Sequence, residues 1–286
     1  MPTLPVILLV GLALLAPAAR GGPAAGTALV LERGGRLSLP ATINGHAVSA
    51  LLDSAAEMTL VDSAYARAIG LAAGTGTTGQ GSGHSSFAAR LVDGVTLRAA
   101  GVTLTGRTVA VTDLGDVSRR LLGHPLAVIV GRELFDAARL EIDVEGRRIA
   151  VVDRGREPRG VRLDLVTEHG VETLPLRIDG GMVRATFDLG NGSHLLVSSA
   201  LAAQRGWLHD GRAVTTERAG GLGGETTREV LTLAAVELAG RRFGSVTAAI
   251  DHQPSAAAAN VGVEMLRHFL ITTDYAAHAI WLAPRD

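Results

Sequence analysis

Val48–Gly70 reads VSALLDSAAEMTLVDSAYARAIG. An apolar run carries one acid, Asp53, onto a turn of small residues, Ser54-Ala55-Ala56. A second strand-like piece follows, Met58-Thr59-Leu60-Val61. Asp62 or Ser63 then caps a short helix that stops at Gly70, the residue type that tolerates a left-handed helix end. A carboxylate placed on a tight turn behind a buried strand is costly unless it is used or paired. The pattern returns at Val183–Gly206, VRATFDLGNGSHLLVSSALAAQRG, with Asp188 in the place of Asp53.

Working outward, the two stretches belong to a longer repeat. Leu39-Pro40 matches Leu174-Pro175, Ile43 matches Ile178, Gly45 matches Gly180, and Val48 matches Val183, all at the 135-residue spacing that separates the two acids. One inserted residue after the acid moves the spacing to 136, where Val61 meets Val197, Ser63 meets Ser199 and Gly70 meets Gly206. Further on the halves realign at 131, bringing Gly131 onto Gly262 and Asp143 onto Asp274. This is an internal duplication of a β-rich unit of about 125 residues, an ordinary domain size. Two related lobes pack about a pseudo-twofold axis, and equivalent residues near that axis approach each other.

The pieces between these anchors read mainly as strands. Thr27–Leu39 alternates around Gly34-Gly35 as a hairpin. Leu39–Ile43, Ala47–Leu52, Ala89–Leu97 and Thr108–Val111 are strand-like, as is the apolar run Ala127–Val130 before Gly131. Leu140–Val152 forms a hairpin about Glu145-Gly146. The stretch DRGREPRG, 153–160, is charged, carries Pro158, and reads as a linker. Gly74–Gly83, GTGTTGQGSG, contains a formal G-x-G-x-x-G, but a helix precedes it and β-structure follows, the reverse of a dinucleotide site. It reads as a glycine-rich hairpin or loop, with Gly220–Gly224 as its second-lobe counterpart.

Composition removes most other chemistries. There is no cysteine and no lysine in 286 residues, which excludes thiol nucleophiles, thiolate metal sites, Schiff bases and the lysine-bearing phosphate loop. The nine histidines show no metal-ligand spacing, and no G-x-S-x-G elbow is present. A net charge of −1 and 3% aromatic residues leave neither a field nor stacking platforms for nucleic acid. Leu4–Leu15 is apolar and is followed by Ala16-Pro17-Ala18, the pattern of a secretory signal peptide cleaved near residue 19. The expected location is therefore periplasmic or secreted, with no stable membrane span after cleavage.

Two carboxylates brought together across a pseudo-twofold share one proton, so that one acts as base toward water and the other as acid toward a carbonyl. Asp53-Ser54-Ala55-Ala56 within LLDSAAEMTLVD resembles the Asp-Thr/Ser-Gly-Ala motif of retropepsin-like aspartic proteases, and Val128-Ile129-Val130-Gly131 resembles that family's hydrophobic-hydrophobic-Gly element. The layout is similar to bacterial exported aspartyl proteases with two such lobes in one chain. The resemblance implies a mainly β fold of two acid-protease β-barrel lobes, each with a short helix, over 27–153 and 161–286, after a signal peptide at 1–19 and joined by the linker at 154–160. It implies Asp53 and Asp188 as the catalytic pair, supported by Ser54, Ala55 and Ala56 in one turn and Leu189, Gly190 and Asn191 in the other. Ser54 would make a hydroxyl contact to the other lobe.

Ala55 stands where the family has Gly, and Leu189 where it has Thr or Ser, so one of two cross-lobe hydroxyls is missing, with Asn191 or Ser193 available as polar support. The flaps would carry Gly79, Gly81 and Gly83 in the first lobe and Gly221 and Gly223 in the second. No cofactor and no metal are implied. The partner is a peptide or protein substrate, and the chain would act as a monomer. Two alternatives stay open here: a non-catalytic peptide-binding or interaction module of the same fold, and a homodimer using two copies of Asp53. Asp143 and Asp274 are expected to bond turn backbone groups, and Glu57 to be solvated or paired with an Arg. His84 and His194 are near enough in sequence to touch substrate.

Overall fold

The computed structural model describes residues 26–71, 73–254 and 256–285; the expected signal peptide lies outside them. Two eight-stranded sheets carry the two lobes. The first is built from β2 (Val30–Leu31), β3 (Leu37–Ile43), β4 (His46–Leu52), β5 (Leu60–Asp62), β6 (Thr75–Gly79), β7 (Phe87–Ala99), β8 (Val102–Thr112) and β9 (Val128–Val130). The second uses β13 (Val166–Glu168), β14 (Val171–Ile178), β15 (Gly181–Phe187), β16 (Leu195–Ser198), β17 (Thr215–Gly221), β18 (Gly224–Leu238), β19 (Arg241–Asp251) and β20 (Ala259–Val261).

Their orders are β2-β3-β4-β9-β5-β8-β7-β6 and β13-β14-β15-β20-β16-β19-β18-β17, the same permutation twice. Each sheet also curls back on itself through one extra pairing, β3 with β7 and β14 with β18. The parallel pairs repeat as well: β4 with β9 and β5 with β8, then β15 with β20 and β16 with β19. The repeat legible in the sequence is thus a repeat of topology.

A third sheet of six strands takes three from each half, in the order β1 (Thr27–Ala28), β11 (Arg148–Val151), β10 (Leu140–Asp143), β21 (Phe269–Asp274), β22 (Ala279–Pro284), β12 (Val161–Asp164). Its central pair, β10 with β21, is antiparallel and places Glu141 opposite Thr272. These two residues are also equivalent at the 131-residue spacing, so the pseudo-twofold axis runs between them. Packed beside this sheet, α3 (Glu133–Ala137) brings Phe135 against Tyr275 in a stack at 5.3 Å and edge-on to Phe187 at 6.5 Å. The junction between lobes therefore receives three of the few aromatic side chains, whose large buried area suits a seam.

Each lobe keeps its short helix. In the first, Asp62 caps α1 (Ser63–Ala68), its carboxylate accepting from the Ala64 and Tyr65 amides. In the second, Ser198 caps α4 (Ser199–Arg205) through the Leu201 amide. The lobes differ between their last two barrel strands. The first inserts α2 (Gly115–Val117), which runs into a π-helical turn at Ser118–Leu122, whereas among the described residues the second has no helix between β19 and β20.

Asp274 corrects the expectation that both repeated acids serve their turns. Asp143 does accept from the Gly146 amide at 2.6 Å. Asp274 is buried and instead pairs with Arg139 at 3.0 Å and Arg154 at 3.2 Å, because its copy of the hairpin stands where first-lobe and linker arginines reach it.

Candidate active site

Strands β4 and β15 start exposed and become buried over their last three residues, Ala50-Leu51-Leu52 and Ala185-Thr186-Phe187. Burial at that end carries the next residue, an aspartate in each case, to the floor of a cleft between the lobes. Strands β9 and β20 clamp both backbones there: the Asp53 amide donates to the Val130 carbonyl at 3.0 Å and the Asp188 amide to the Val261 carbonyl at 3.1 Å. The turns then fold back onto their own acids. Asp53 Oδ1 accepts from the Ala55 and Ala56 amides at 2.9 and 3.0 Å. Asp188 Oδ1 accepts from the Gly190 and Asn191 amides at 2.8 and 3.0 Å.

The turns meet across the lobe boundary. Buried Ser54 donates its hydroxyl to the Phe187 carbonyl at 2.8 Å and accepts from the Leu189 amide at 2.9 Å. Leu189 has no hydroxyl to return the contact and is buried in the core. Gly190 lies directly against Asp53, and a Cβ on it would collide with the Asp53 carboxyl group. Only glycine admits that approach. The equivalent residue in the first lobe is Ala55, so the two sides of the floor differ by a methyl group.

The electrostatics follow from this enclosure. Burial pushes the Asp53 carboxyl up to about 7, with the negative charge of Asp188 adding to it and the turn amides and Arg36 opposing it. Burial also raises Asp188, against hydrogen bonds from Asn260 and the Asn191 and Gly190 amides. Both groups are packed round on most sides yet keep partial contact with solvent through the cleft. Like charges so close resist ionising together. Arg36 lines the same cleft as both acids; burial lowers its guanidinium while Asp188 and Asp53 oppose the shift.

Above the floor is a cleft of about 620 Å³, within the usual range for a ligand site. The β6–β7 and β17–β18 hairpins close over it and touch at their tips. Gly83 donates its amide to the Leu222 carbonyl at 2.8 Å, and Ser85 donates to the Gly223 carbonyl at 3.0 Å. Gly79 ends β6, Gly81 and Gly83 lie in the loop beyond it, Gly221 ends β17, and Gly223 makes the turn. Side chains on Gly81, Gly83, Gly221 or Gly223 would run into the opposite hairpin. Arg120, from the inserted helical segment, adds a bond to the Gly221 carbonyl at 2.8 Å while pairing with Asp116.

The cleft walls are unlike. The first lobe presents Leu51, Leu60, Val117, Leu122, Leu126 and Ile129, a second hydrophobic cluster apart from the main core, and Leu222 of the opposite hairpin packs on it. At the equivalent places the second lobe has Thr186 for Leu51 and Asn260 for Ile129, with Leu196 for Leu60. Glu57 is exposed at the edge of the cleft.

His84 and His194 do not line the cleft: His84 Nδ1 meets the Glu225 carbonyl at 2.8 Å, and His194 stands between Glu217 and Glu264 at 3.5 and 3.3 Å. Among the described residues no cluster of His, Asp and Glu has metal-binding geometry, and no helix is long and apolar enough to cross a membrane.

Sequence reasoning does not find Arg36, Asn260 or the apolar wall. The wall had a signal, since Leu114, Val117, Leu121 and Leu122 recur at helical spacing. Asn260 had another, being a polar residue where the repeat has Ile129.

Comparison with known proteins adds a family. Residues 39–126 match the family model described as aspartyl protease, a span running from β3 through the Asp53 turn, the first hairpin and the inserted helical segment. A search of curated proteins gives no match.

Proposed function

We propose, from the match of residues 39–126 to the aspartyl protease family, that the whole molecule is a peptidase whose single dyad is Asp53 with Asp188. One observation supports this above all: equivalent turns of two topologically identical lobes bring their aspartates to a common floor, where the second lobe's Gly190 abuts the first lobe's acid. The pair holds one proton between its two carboxyl groups. Its carboxylate takes a proton from water as the water oxygen bonds to the peptide carbonyl carbon, and its carboxylic acid protonates the carbonyl oxygen. No group beyond the chain is needed for either transfer.

The test is the pH dependence of peptide hydrolysis. Activity requires the singly protonated pair, so kcat/KM falls at low pH, where both carboxyls are protonated. It falls again as pH rises through about 7, the value to which Asp53 is raised, by about tenfold per unit once the proton is gone. A rate that keeps rising through alkaline pH would contradict the dyad.

The unlike walls support a substrate class. A peptide laid extended beneath the two hairpins places one side chain beside the scissile bond against Leu51, Val117, Leu122 and Ile129. That side chain is large and apolar. Shortening it to Ala in a cleaved peptide is expected to lower kcat/KM by about 10- to 100-fold, the worth of burying a Leu-sized group. Shortening the residue on the other side of the bond, toward Thr186 and Asn260, is expected to cost much less. Equal losses on both sides would argue against this reading of the walls.

A further inference from the structure

The backbones of the two turns obey the pseudo-twofold, but the carboxylates do not share the same neighbours. Asp188 Oδ2 accepts from Asn260 Nδ2 at 2.7 Å. The orientation of that amide is set by what lies behind it. Asn260 Oδ1 accepts from Asn191 Nδ2 at 2.9 Å, and Asn191 Oδ1 is taken by the Ser193 amide and hydroxyl at 3.0 and 3.1 Å. With Asn191 forced to donate, Asn260 must turn its oxygen to Asn191 and its NH₂ to Asp188.

Nothing comparable serves Asp53. The residue equivalent to Asn260 is Ile129, and the one equivalent to Asn191 is Ala56. Among the described residues, Asp53 receives hydrogen bonds only from its own turn amides.

A donor aimed at a carboxylate oxygen favours the charged form over the neutral one, and a charge-assisted bond does so strongly. We propose that Asn260 is a positioning residue that keeps the shared proton on Asp53, making Asp53 the acid and Asp188 the base of the reaction. This rests on the dyad reading above and assigns its two roles. In the first step Asp188 takes a proton from water as the water oxygen bonds to the carbonyl carbon, while Asp53 gives its proton to the carbonyl oxygen, leaving a neutral gem-diol. In the second, Asp188 passes its proton to the amide nitrogen as the C–N bond breaks. One gem-diol hydroxyl returns a proton to Asp53 as the carbonyl reforms, so the resting arrangement is restored.

Of the other charged groups around the pair, Arg36 lines the cleft and acts more on Asp188 than on Asp53, in the same direction as Asn260. Asp251 at the cleft wall is paired with Arg228 at 3.4 Å. Glu57, Glu168 and His169 line the outer cleft. Tyr275, held neutral by burial, lies behind Asp188 in the aromatic seam.

The experiment is a ¹³C NMR titration of the aspartate carboxyl carbons in the full chain, with Asp53→Asn and Asp188→Asn used to identify the two signals. In the wild type the Asp188 signal is expected to report a charged group at a pH where Asp53 is still protonated. In Asn260→Ile, which copies the first lobe, the separation between the two apparent midpoints is expected to shrink by about one unit or more, the effect of losing a bond to a charged acceptor. Asn260→Ala gives the same comparison without added bulk if the Ile variant does not fold.

The acid limb of the kcat/KM profile should move up with the Asp188 midpoint, which a loss of packing alone would not produce. Asp53 ionising before Asp188 in the wild type would overturn the proposal. So would midpoints unmoved by either substitution. Absence of peptide cleavage by the wild type would count against the dyad reading, whereas the carboxyl titration still reports where the proton sits.

Discussion

Asp53→Asn and Asp188→Asn are each expected to lower kcat/KM by at least about 10³-fold while the chain stays folded. The size follows from removing the acid or the base of a proton-transfer pair, each worth roughly 10² to 10⁴ in rate. The fold survives because an Asn at either place keeps an Oδ1 that can accept from the same turn amides, Ala55 and Ala56 in one lobe and Gly190 and Asn191 in the other, although at position 188 the new NH₂ meets the Asn260 NH₂ and loses that bond. For Asp53 the sign of the stability change is also determined. Its carboxyl is raised from the ordinary carboxylate value to about 7 in the folded state, so folding takes up protons between those values and stability declines as pH rises through the window. The neutral amide of Asp53→Asn has no such titration. The thermal midpoint of that variant at neutral pH is therefore expected to match or exceed that of the wild type, measured beside the loss of peptide cleavage. A large fall in both would mean that Asp53 is a structural residue.

The largest effect on stability is expected at Asp274→Ala. Asp274 is buried, and so is Arg139, whose guanidinium bonds Asp274 through Nε at 3.0 Å and the carbonyls of Arg154 and Arg156 through Nη1 at 3.0 and 2.9 Å. The cluster ties the end of the first lobe and the linker to β21 of the second. Removing the acid leaves an uncompensated buried guanidinium, a loss of about 3–5 kcal/mol. For a chain of this size that corresponds to a fall in thermal midpoint on the order of 10 °C.

Burial opposes the charge of Asp274, yet Arg154 and Arg139 together hold its carboxyl below the ordinary carboxylate range. The pair's contribution is present in full above the unfolded carboxylate pKa and is lost as pH falls through the lower folded value. The gap between wild type and Asp274→Ala should accordingly narrow in strong acid. Calorimetry at neutral pH and near pH 3 checks both the size and the trend; a gap that widened in acid would contradict the ion-pair account.

Much of the architecture was legible in the chain because local rules produce it. A strand that buries its last residues and ends in a small-residue turn must present the next side chain at the sheet edge, and two such stretches at a constant spacing predict two such edges. The helix caps Asp62 and Ser198 and the stops at Gly70 and Gly206 are equally local. What escaped was decided by contacts between segments far apart in sequence, most of them across the lobe boundary.

The meeting of Gly83 with Leu222 depends on where two hairpins end in space. The switch of Asp274 from turn to ion pair depends on Arg139 arriving from the other lobe. Arg36 is far from Asp188 in sequence, and only the closed fold brings it into one cleft with both acids. Asn260 carried a mark in the repeat, a polar residue opposite Ile129. Its partner could be named only once β20 was known to lie beside the Asp188 turn.

The proposed function depends on one chain supplying both acids of one dyad. It is tested most directly by hydrolysis of an apolar-flanked peptide across a range of protein concentrations, using wild type, each single Asn variant, and an equimolar mixture of the two variants. The expected result is a wild-type rate per molecule that does not change with concentration, with the loss of at least about 10³-fold seen in each variant and in their mixture. Activity retained by Asp188→Asn, or restored on mixing the two variants, would show that the dyad is assembled between chains and would contradict it.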